Sequence, residues 1–412
     1  MIKKLRLVKR NVIGKSEIKE VIKVMKSGNL SNFLGTSGKG FLGGEKVLNF
    51  ENKIQKYFNV KYAVTVNSWT SGLICAVGSI DNLQAGDEII LSPWTMSACL
   101  SSILFWNAIP VFADIEKDYF TICPDSIEKK ITKKTRAIMA IDIFGQSANL
   151  KKIVKIAKKY NLQIISDTAQ AMGSKYFGKY SGTFADIGGY SLNYHKHIHT
   201  GEGGIVVTNN KVLAERIRLI RNHAESVSKR THYKNFSFNK IGFNFRLGEI
   251  ESAIGIEQLK KLKWIVNKNQ LAAKILDKGL SNLKGLQIPQ IRDGATHVYY
   301  VYPLLIDQKE CGFTKYKLFR FLKSHNIPVS LKYVNLHLLP ILKEKNKEKN
   351  SLPWKLVKKK YFYKKNDCPI AEDYQNNKYL ALNMCSYNYT KSNLNYIIKM
   401  FKIFWKKNER YI

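Results

Sequence analysis

Between residues 60 and 210 the chain alternates short, nearly unbroken apolar runs with longer stretches of helical spacing. YAVTV (62–66), DEIILS (87–92), IPVFAD (109–114), RAIMAIDI (136–143) and LQIISD (162–167) are β-branched runs of the kind that become strands buried on both faces. SGLICAVGSI (71–80), NLKKIVKIAKKY (149–160) and KVLAERIRLIRNH (211–223) instead carry apolar residues three or four apart. The last of these follows a GEGG turn and the apolar run GIVVTN. Strand and helix in alternation predict a doubly wound, mostly parallel α/β sheet, and such sheets bind ligands outside the carboxyl ends of their strands.

Farther on, a long helical pattern runs from Leu247 through QLKKLKWIVNKNQLAAKIL. HVYYVYPLLI (297–306) reads as a strand and KYKLFRFLKSHN (315–326) as a helix, which predicts a smaller α+β domain. The expected division is a large domain over 1–263, including the N-terminal segment, and a small C-terminal domain over 264–412. The last helix, LNYIIKMFKIFWKK (394–407), has apolar residues at 394, 397, 398, 401, 404 and 405 among lysines. Such a stripe suits a membrane surface or the chain's own core, and the core is the commoner use.

Composition narrows the class. At 412 residues, 45% apolar and 12% aromatic, the chain can bury two sizeable cores. MIKKLRLVKRNV is basic, but its apolar run is too short for a signal peptide, and no apolar run approaches the roughly 18–20 residues of a membrane span. The expectation is a soluble, cytoplasmic protein. Its six cysteines are scattered with no CxxC pair, as in a reduced, metal-free interior. The net charge of +37 would ordinarily suggest nucleic acid. Lysine is spread along the whole length, however, so a basic surface without a nucleic-acid partner is the simpler reading. KEKNKEKN (343–350) and VKKKYFYKK (357–365) are expected to form a solvated surface insertion. The positive field would still draw in a phosphorylated small substrate.

Three segments carry chemistry. AVTVNSWTSGLICAV (63–77) ends a strand, turns and opens a helix near Thr70–Ser71, where free N–H groups and two hydroxyls can cradle a phosphate. IISDTAQAMGS (164–174) places Asp167 at the carboxyl end of a buried strand. Opposite charges about 4 Å apart at an effective dielectric of about 20 gain about 4 kcal/mol, enough to hold a pyridine nitrogen protonated by about three pKa units before desolvation. SLNYHKHIHTGEGG (191–204) presents His195, His197 and His199 around Lys196. In a strand the three imidazoles would share one side, as in a zinc or copper site, with Lys196 opposite. No HExxH and no fourth ligand accompany them, so a metal is not expected. A lysine needs only an aldehyde, and pyridoxal phosphate needs this lysine, an aspartate and a phosphate cradle.

Taken together, the ordered markers VNSWTSGL, GDEIILSPWTMSA, PVFADI, FGQSANL, SDTAQA, HKHIHTGEGG, RNH, GFNFRLGEIESAIGIEQLKKL, YVNLHLLP and CPIAE resemble the DegT/DnrJ/EryC1/StrS family of pyridoxal-phosphate sugar aminotransferases from about residue 10 to 400. The resemblance implies an aspartate-aminotransferase-like fold of type I. It makes Lys196 the Schiff-base lysine, Asp167 the partner of the pyridinium nitrogen and Gln170 the neighbour of the cofactor's 3-hydroxyl. Thr70, Ser71 and Ser191 match the phosphate cradle. Asn244 in GFNFR matches a residue reaching the phosphate from the other subunit, which implies a homodimer with shared active sites. The implied reaction moves an amino group, from L-glutamate, to a nucleotide-linked keto-deoxy sugar, at C4 in preference to C3, for a surface glycan or polysaccharide.

Four positions depart from the family pattern. Trp69 stands where a small residue is usual, which would alter the cradle or the mouth of the pocket. Met96 replaces a stacking aromatic and would cover the cofactor less rigidly. Met172 replaces a frequent histidine, and NYHKHIH replaces a small or proline-containing approach to the lysine. One family branch carries histidine at the lysine position and acts as a sugar dehydratase, the alternative reaction on this fold. The fixed spacing from Lys196 to GEGG argues for the lysine. His195 and His337 are further candidates for the substrate side.

Overall fold

A computed structural model describes residues 4–35, 38–224, 241–331, 333–343 and 352–408. In chain order its strands are β1 (Val8–Lys9), β2 (Tyr62–Val66), β3 (Glu88–Leu91), β4 (Ile109–Phe112), β5 (Thr135–Ile141), β6 (Gln163–Asp167), β7 (Lys175–Tyr176), β8 (Lys179–Tyr180), β9 (Ile187–Ser191), β10 (Gly204–Thr208), β11 (Leu286–Gln287), β12 (Val301–Ile306), β13 (Val329–Ser330), β14 (Tyr379–Asn383) and β15 (Tyr387–Asn388). The principal helices are α1 (Lys15–Ser27), α2 (Glu45–Phe58), α3 (Trp69–Gly78), α4 (Ser97–Phe105), α5 (Pro124–Lys130), α6 (Leu150–Tyr160), α7 (Lys211–Arg221), α8 (Glu249–Leu280), α9 (Lys315–Ser324) and α10 (Lys391–Asn408).

Seven strands form one sheet in the order β2-β10-β9-β6-β5-β3-β4. Only β10 runs against the rest, pairing antiparallel with both β2 and β9. The fold is therefore α/β with a mixed, mostly parallel sheet. The five apolar runs read from the sequence become β2, β3, β4, β5 and β6, and GIVVTN becomes β10. β9 carries no such signal, because IGGYS holds two glycines. Glycine is required there by close approach: a Cβ at Gly188 would lie 1.8 Å from the Gly182 carbonyl oxygen.

The parallel order brings the carboxyl ends of β2, β6 and β9 to one edge, with the first residue of β10 beside them. Ser68 caps α3 there by accepting the Ser71 N–H on its hydroxyl.

A second sheet, β11-β12-β14-β13, carries the C-terminal core. α8 serves both cores: Ile256, Leu259, Leu262 and Ile265 pack in the first half, and Ala272, Ala273, Leu276 and Leu280 in the second. One continuous helix thus contributes to both packing clusters. Leu5 packs in the C-terminal core and β1 pairs with β15, so the first residues lie with the small sheet. The expected strand over 297–306 begins only at Val301.

α10 turns Leu394, Ile397, Met400, Phe401, Phe404 and Trp405 into that same core. Among the described residues no helix is long and apolar enough to cross a membrane.

The expected solvated insertion needs correction. Residues 344–351 lie outside the described ones, but the segment after them is strapped to the large sheet. Tyr361 donates its hydroxyl to Glu88 at 2.6 Å, Tyr363 donates to the Pro110 carbonyl at 2.8 Å, and Trp354 and Tyr363 pack on the core. The aromatics between the lysines anchor what the charge run suggested was free.

Candidate active site

Asp167 ends β6 and is 5% exposed. Its Oδ1 accepts the Trp69 indole N–H at 2.7 Å and the Ala169 N–H at 3.0 Å, and its Oδ2 accepts the Cys99 thiol at 3.0 Å. Burial and the charge of Asp167 push the Cys99 pKa well up, so the thiol stays protonated and donating. Trp69 is itself buried. The expected effect at the pocket mouth is therefore not seen, and the indole runs inward beneath the edge.

Lys196 follows β9 in a turn closed by its own N–H to the Asn193 carbonyl. The loop is pinned at its base by Leu192 N–H to Gly203 O and at its rim by Asn193 Nδ2 to Glu202 at 2.7 Å. This is the structural use of the GEGG spacing. The Lys196 Nζ lies 4.6 Å from the centre of the Tyr300 ring. Burial lowers its pKa, partly opposed by the charge of Asp167.

The histidines do not share one face, because residues 194–198 form turn and bends instead of a strand. His197 is buried and donates Nε2–H to the Val298 carbonyl at 2.9 Å, the only sense a carbonyl allows. His195 is half-buried against Tyr194 and Tyr300, and His199 lies beside Gly201 and α8. Burial lowers the pKa of His195 and of His197 to about 4, with Lys196 adding to the effect. Among the described residues no group of three or more His, Cys, Asp or Glu could hold a metal.

On the cradle side, Thr70 is exposed in the first turn of α3. Ser71 is turned inward, its hydroxyl 2.6 Å from Asn67 Oδ1. Ser191 ends β9 beside them, and Met96 is 68% exposed just before α4. Gln170 is clamped: its Oε1 accepts the Phe144 N–H at 2.9 Å and its Nε2 donates to the Tyr333 hydroxyl at 2.8 Å. Asn244 is exposed on a short bridge with Asn222. His337 is elsewhere, buried with Nε2 2.9 Å from Glu372 Oε1 and its ring near Phe112.

A model of the DegT/DnrJ/EryC1/StrS aminotransferase family matches residues 12–384. The chain belongs to this family. Its sequence is 33% identical to the GDP-perosamine synthase of Escherichia coli O157:H7 over 302 residues, 73% of this chain and 80% of that one. It is also 33% identical over 300 residues to the UDP-4-amino-4,6-dideoxy-N-acetyl-beta-L-altrosamine transaminase of Helicobacter pylori, covering 72% and 76% of the two chains. Among solved structures, Helicobacter pylori PseC, an aminotransferase involved in pseudaminic acid biosynthesis, superposes with a TM-score of 0.80 at 27% identity, covering 98% and 100% of the chains. The aminotransferases of this family are pyridoxal-phosphate-dependent enzymes of fold type I.

The side chains gathered here fit that cofactor by their chemistry. The buried carboxylate keeps acceptor capacity on Oδ2, where among the described residues only a weak thiol donor sits. The Lys196 amine is buried with a lowered pKa and has no ion pair among the described residues. The exposed Thr70 adds a hydroxyl to a helix N-terminus, which favours an anion. Two tyrosines from the C-terminal half, Tyr300 and Tyr333, complete the surroundings, and neither was singled out from the sequence. Both sit in aromatic-rich runs that read equally well as core.

Proposed function

We propose that this protein transfers an amino group from L-glutamate to the C4 keto group of a nucleotide-linked deoxy sugar, in the cytoplasm, for a surface glycan or polysaccharide. The observation that carries the reading is the convergence of Lys196, Asp167 and the start of α3 on one sheet edge. The names of the two sugar-acting relatives support the substrate class, and one of those names is of a 4-amino sugar.

Pyridoxal phosphate, when bound, supplies an aldehyde carbon that takes up an amino group and a ring that holds the electrons of the bond broken at the donor. Lys196 would hold the cofactor's aldehyde carbon, and its freed amine, when neutral, would take up the proton lost from the donor's α-carbon. Burial favours that form. Asp167 holds the proton on the ring nitrogen. Gln170, oriented by Phe144 and Tyr333, would meet the cofactor's 3-hydroxyl. Thr70, Ser71 and Ser191 receive the phosphate, joined by Asn244 from a second copy in a homodimer. Met96 covers the ring, and His195, neutral at pH 7, flanks the substrate.

The test is the absorbance of the protein mixed with pyridoxal phosphate, before and after L-glutamate, followed by 15N-glutamate with a panel of nucleotide keto sugars. The expected result is a visible band that glutamate bleaches, borohydride-trapped cofactor on Lys196 and none in Lys196→Ala, and 15N at C4 of the product. A protein that takes up no cofactor refutes the reading. Loss of water from the sugar without net glutamate consumption would identify a dehydratase instead.

A further inference from the structure

Trp69 is the first residue of α3, and its indole passes under the sheet edge through space left by glycines. A Cβ at Gly189 in β9 would lie 1.9 Å from Cζ3 and 2.0 Å from Cη2 of the ring, and one at Gly72 would lie 2.7 Å from Cε3. The ring ends on Asp167, where Nε1–H meets Oδ1 at 2.7 Å, a short, charge-assisted bond between groups 98 residues apart. The Ala169 N–H meets the same oxygen, so two N–H donors fill its acceptor sites. Among the described residues Oδ2 has only the Cys99 thiol, a weak donor, whose sulfur also lies 3.1 Å from the Thr95 hydroxyl.

We propose that Trp69 is a positioning residue: by saturating Oδ1 it fixes the rotation of the Asp167 carboxylate and leaves Oδ2 as the oxygen that meets the cofactor's ring nitrogen. A carboxylate at a strand end can turn about its last bond, and a buried donor that holds one oxygen removes that freedom before the cofactor arrives. Gly189 belongs to the device, since any side chain there displaces the indole. The inference rests on the reading of Asp167 given under Proposed function.

The test is the dissociation constant of pyridoxal phosphate, measured by equilibrium dialysis. Trp69→Phe keeps an aromatic ring and loses the donor. Replacement of Trp69 by 3-benzothienylalanine keeps the indole outline without an N–H and covers the case in which the Phe variant does not fold. Both are expected to raise the dissociation constant about tenfold, and to raise it less than twofold in an Asp167→Asn background, because the effect travels through the carboxylate. An unchanged constant overturns the assignment. So does an equal rise in both backgrounds, which would mark Trp69 as packing only. Wild-type protein that takes up no cofactor on Lys196 overturns the reading of the site along with it, whereas uptake with unaffected variants overturns the Trp69 role alone.

Discussion

Holding His197 neutral is built into the fold and sets an acid limit on the loop that carries Lys196. The ring is 1% exposed, Nε2–H is committed to the Val298 carbonyl, and the buried Nδ1 has no partner among the described residues. Protonation would add a second N–H with no acceptor, in a setting where Arg10 and Lys196 already contribute positive charge. The folded pKa is lowered from 6.5 to about 4. A base with a lowered folded pKa is protonated first in the unfolded chain. Its contribution to stability is therefore present above about pH 6.5 and is lost as the pH falls toward 4. Between those limits, at pH 5.0, the loss amounts to about 2 kcal/mol. His197→Gln keeps an amide N–H for Val298 and removes the titration. Urea unfolding at pH 7.5 and pH 5.0 should therefore show the variant losing about 2 kcal/mol less than wild type between the two conditions. His195, His199 and the buried His297, whose pKa is lowered to about 3, remain in both proteins and drop out of the comparison. Equal losses in the two proteins would refute the argument.

Other outcomes follow from the same geometry. Asp167→Asn removes the charge that retains the ring-nitrogen proton, and the amino-transfer rate should fall about 100- to 1,000-fold, in single-turnover kinetics, on the scale of a close charge pair. His337→Ala leaves a small cavity and strips Glu372 of a partner, while two N–H donors from Asn366 and Cys368 remain. It should cost about 2–3 kcal/mol in urea unfolding and leave KM for the sugar unchanged, whereas a raised KM would return His337 to the substrate side. Glu17 is held to about 2 by Lys261, Gln258 and the Gly14 N–H despite its burial. Its contribution is present above about pH 4.5 and lost below, so Glu17→Gln should destabilise the protein at pH 7 and differ less from wild type as the pH drops below 4.5. Mixing Lys196→Ala with Asn244→Ala protein under exchange should restore up to about a quarter of wild-type activity if the sites are shared across a homodimer, and none if each subunit is self-sufficient.

The sheet could be read from the sequence wherever burial on both faces forced continuous apolar runs, which is why β2 to β6 were visible. β9 was hidden because its place is set by close approach, of backbone at Gly188 and of the Trp69 indole at Gly189, and glycine leaves no hydropathy signal. Likewise the contact of His337 with Glu372 has no sequence signal, since the two are 35 residues apart and only the fold brings them together. Tyr300, Tyr333 and the Trp69–Asp167 bond share this difficulty. Each is a contact across domains or strands between residues whose local context is ordinary.

The alternation of histidines around Lys196 fails to put them on one side for a related reason. Period two places side chains on one side only while the backbone stays extended. Here the Lys196 N–H turns back onto Asn193, so the period is broken within the motif itself. Once the turn forms, each ring answers to a different neighbour: His195 to two tyrosines, His197 to Val298 and His199 to Gly201. Three imidazoles held by three separate partners do not converge on a metal. The same turn sets Lys196 beside Tyr300 and within the field of Asp167, where burial makes the amine less basic. The histidines thus build the support of the loop, and the lysine between them is held with its amine buried beside Tyr300.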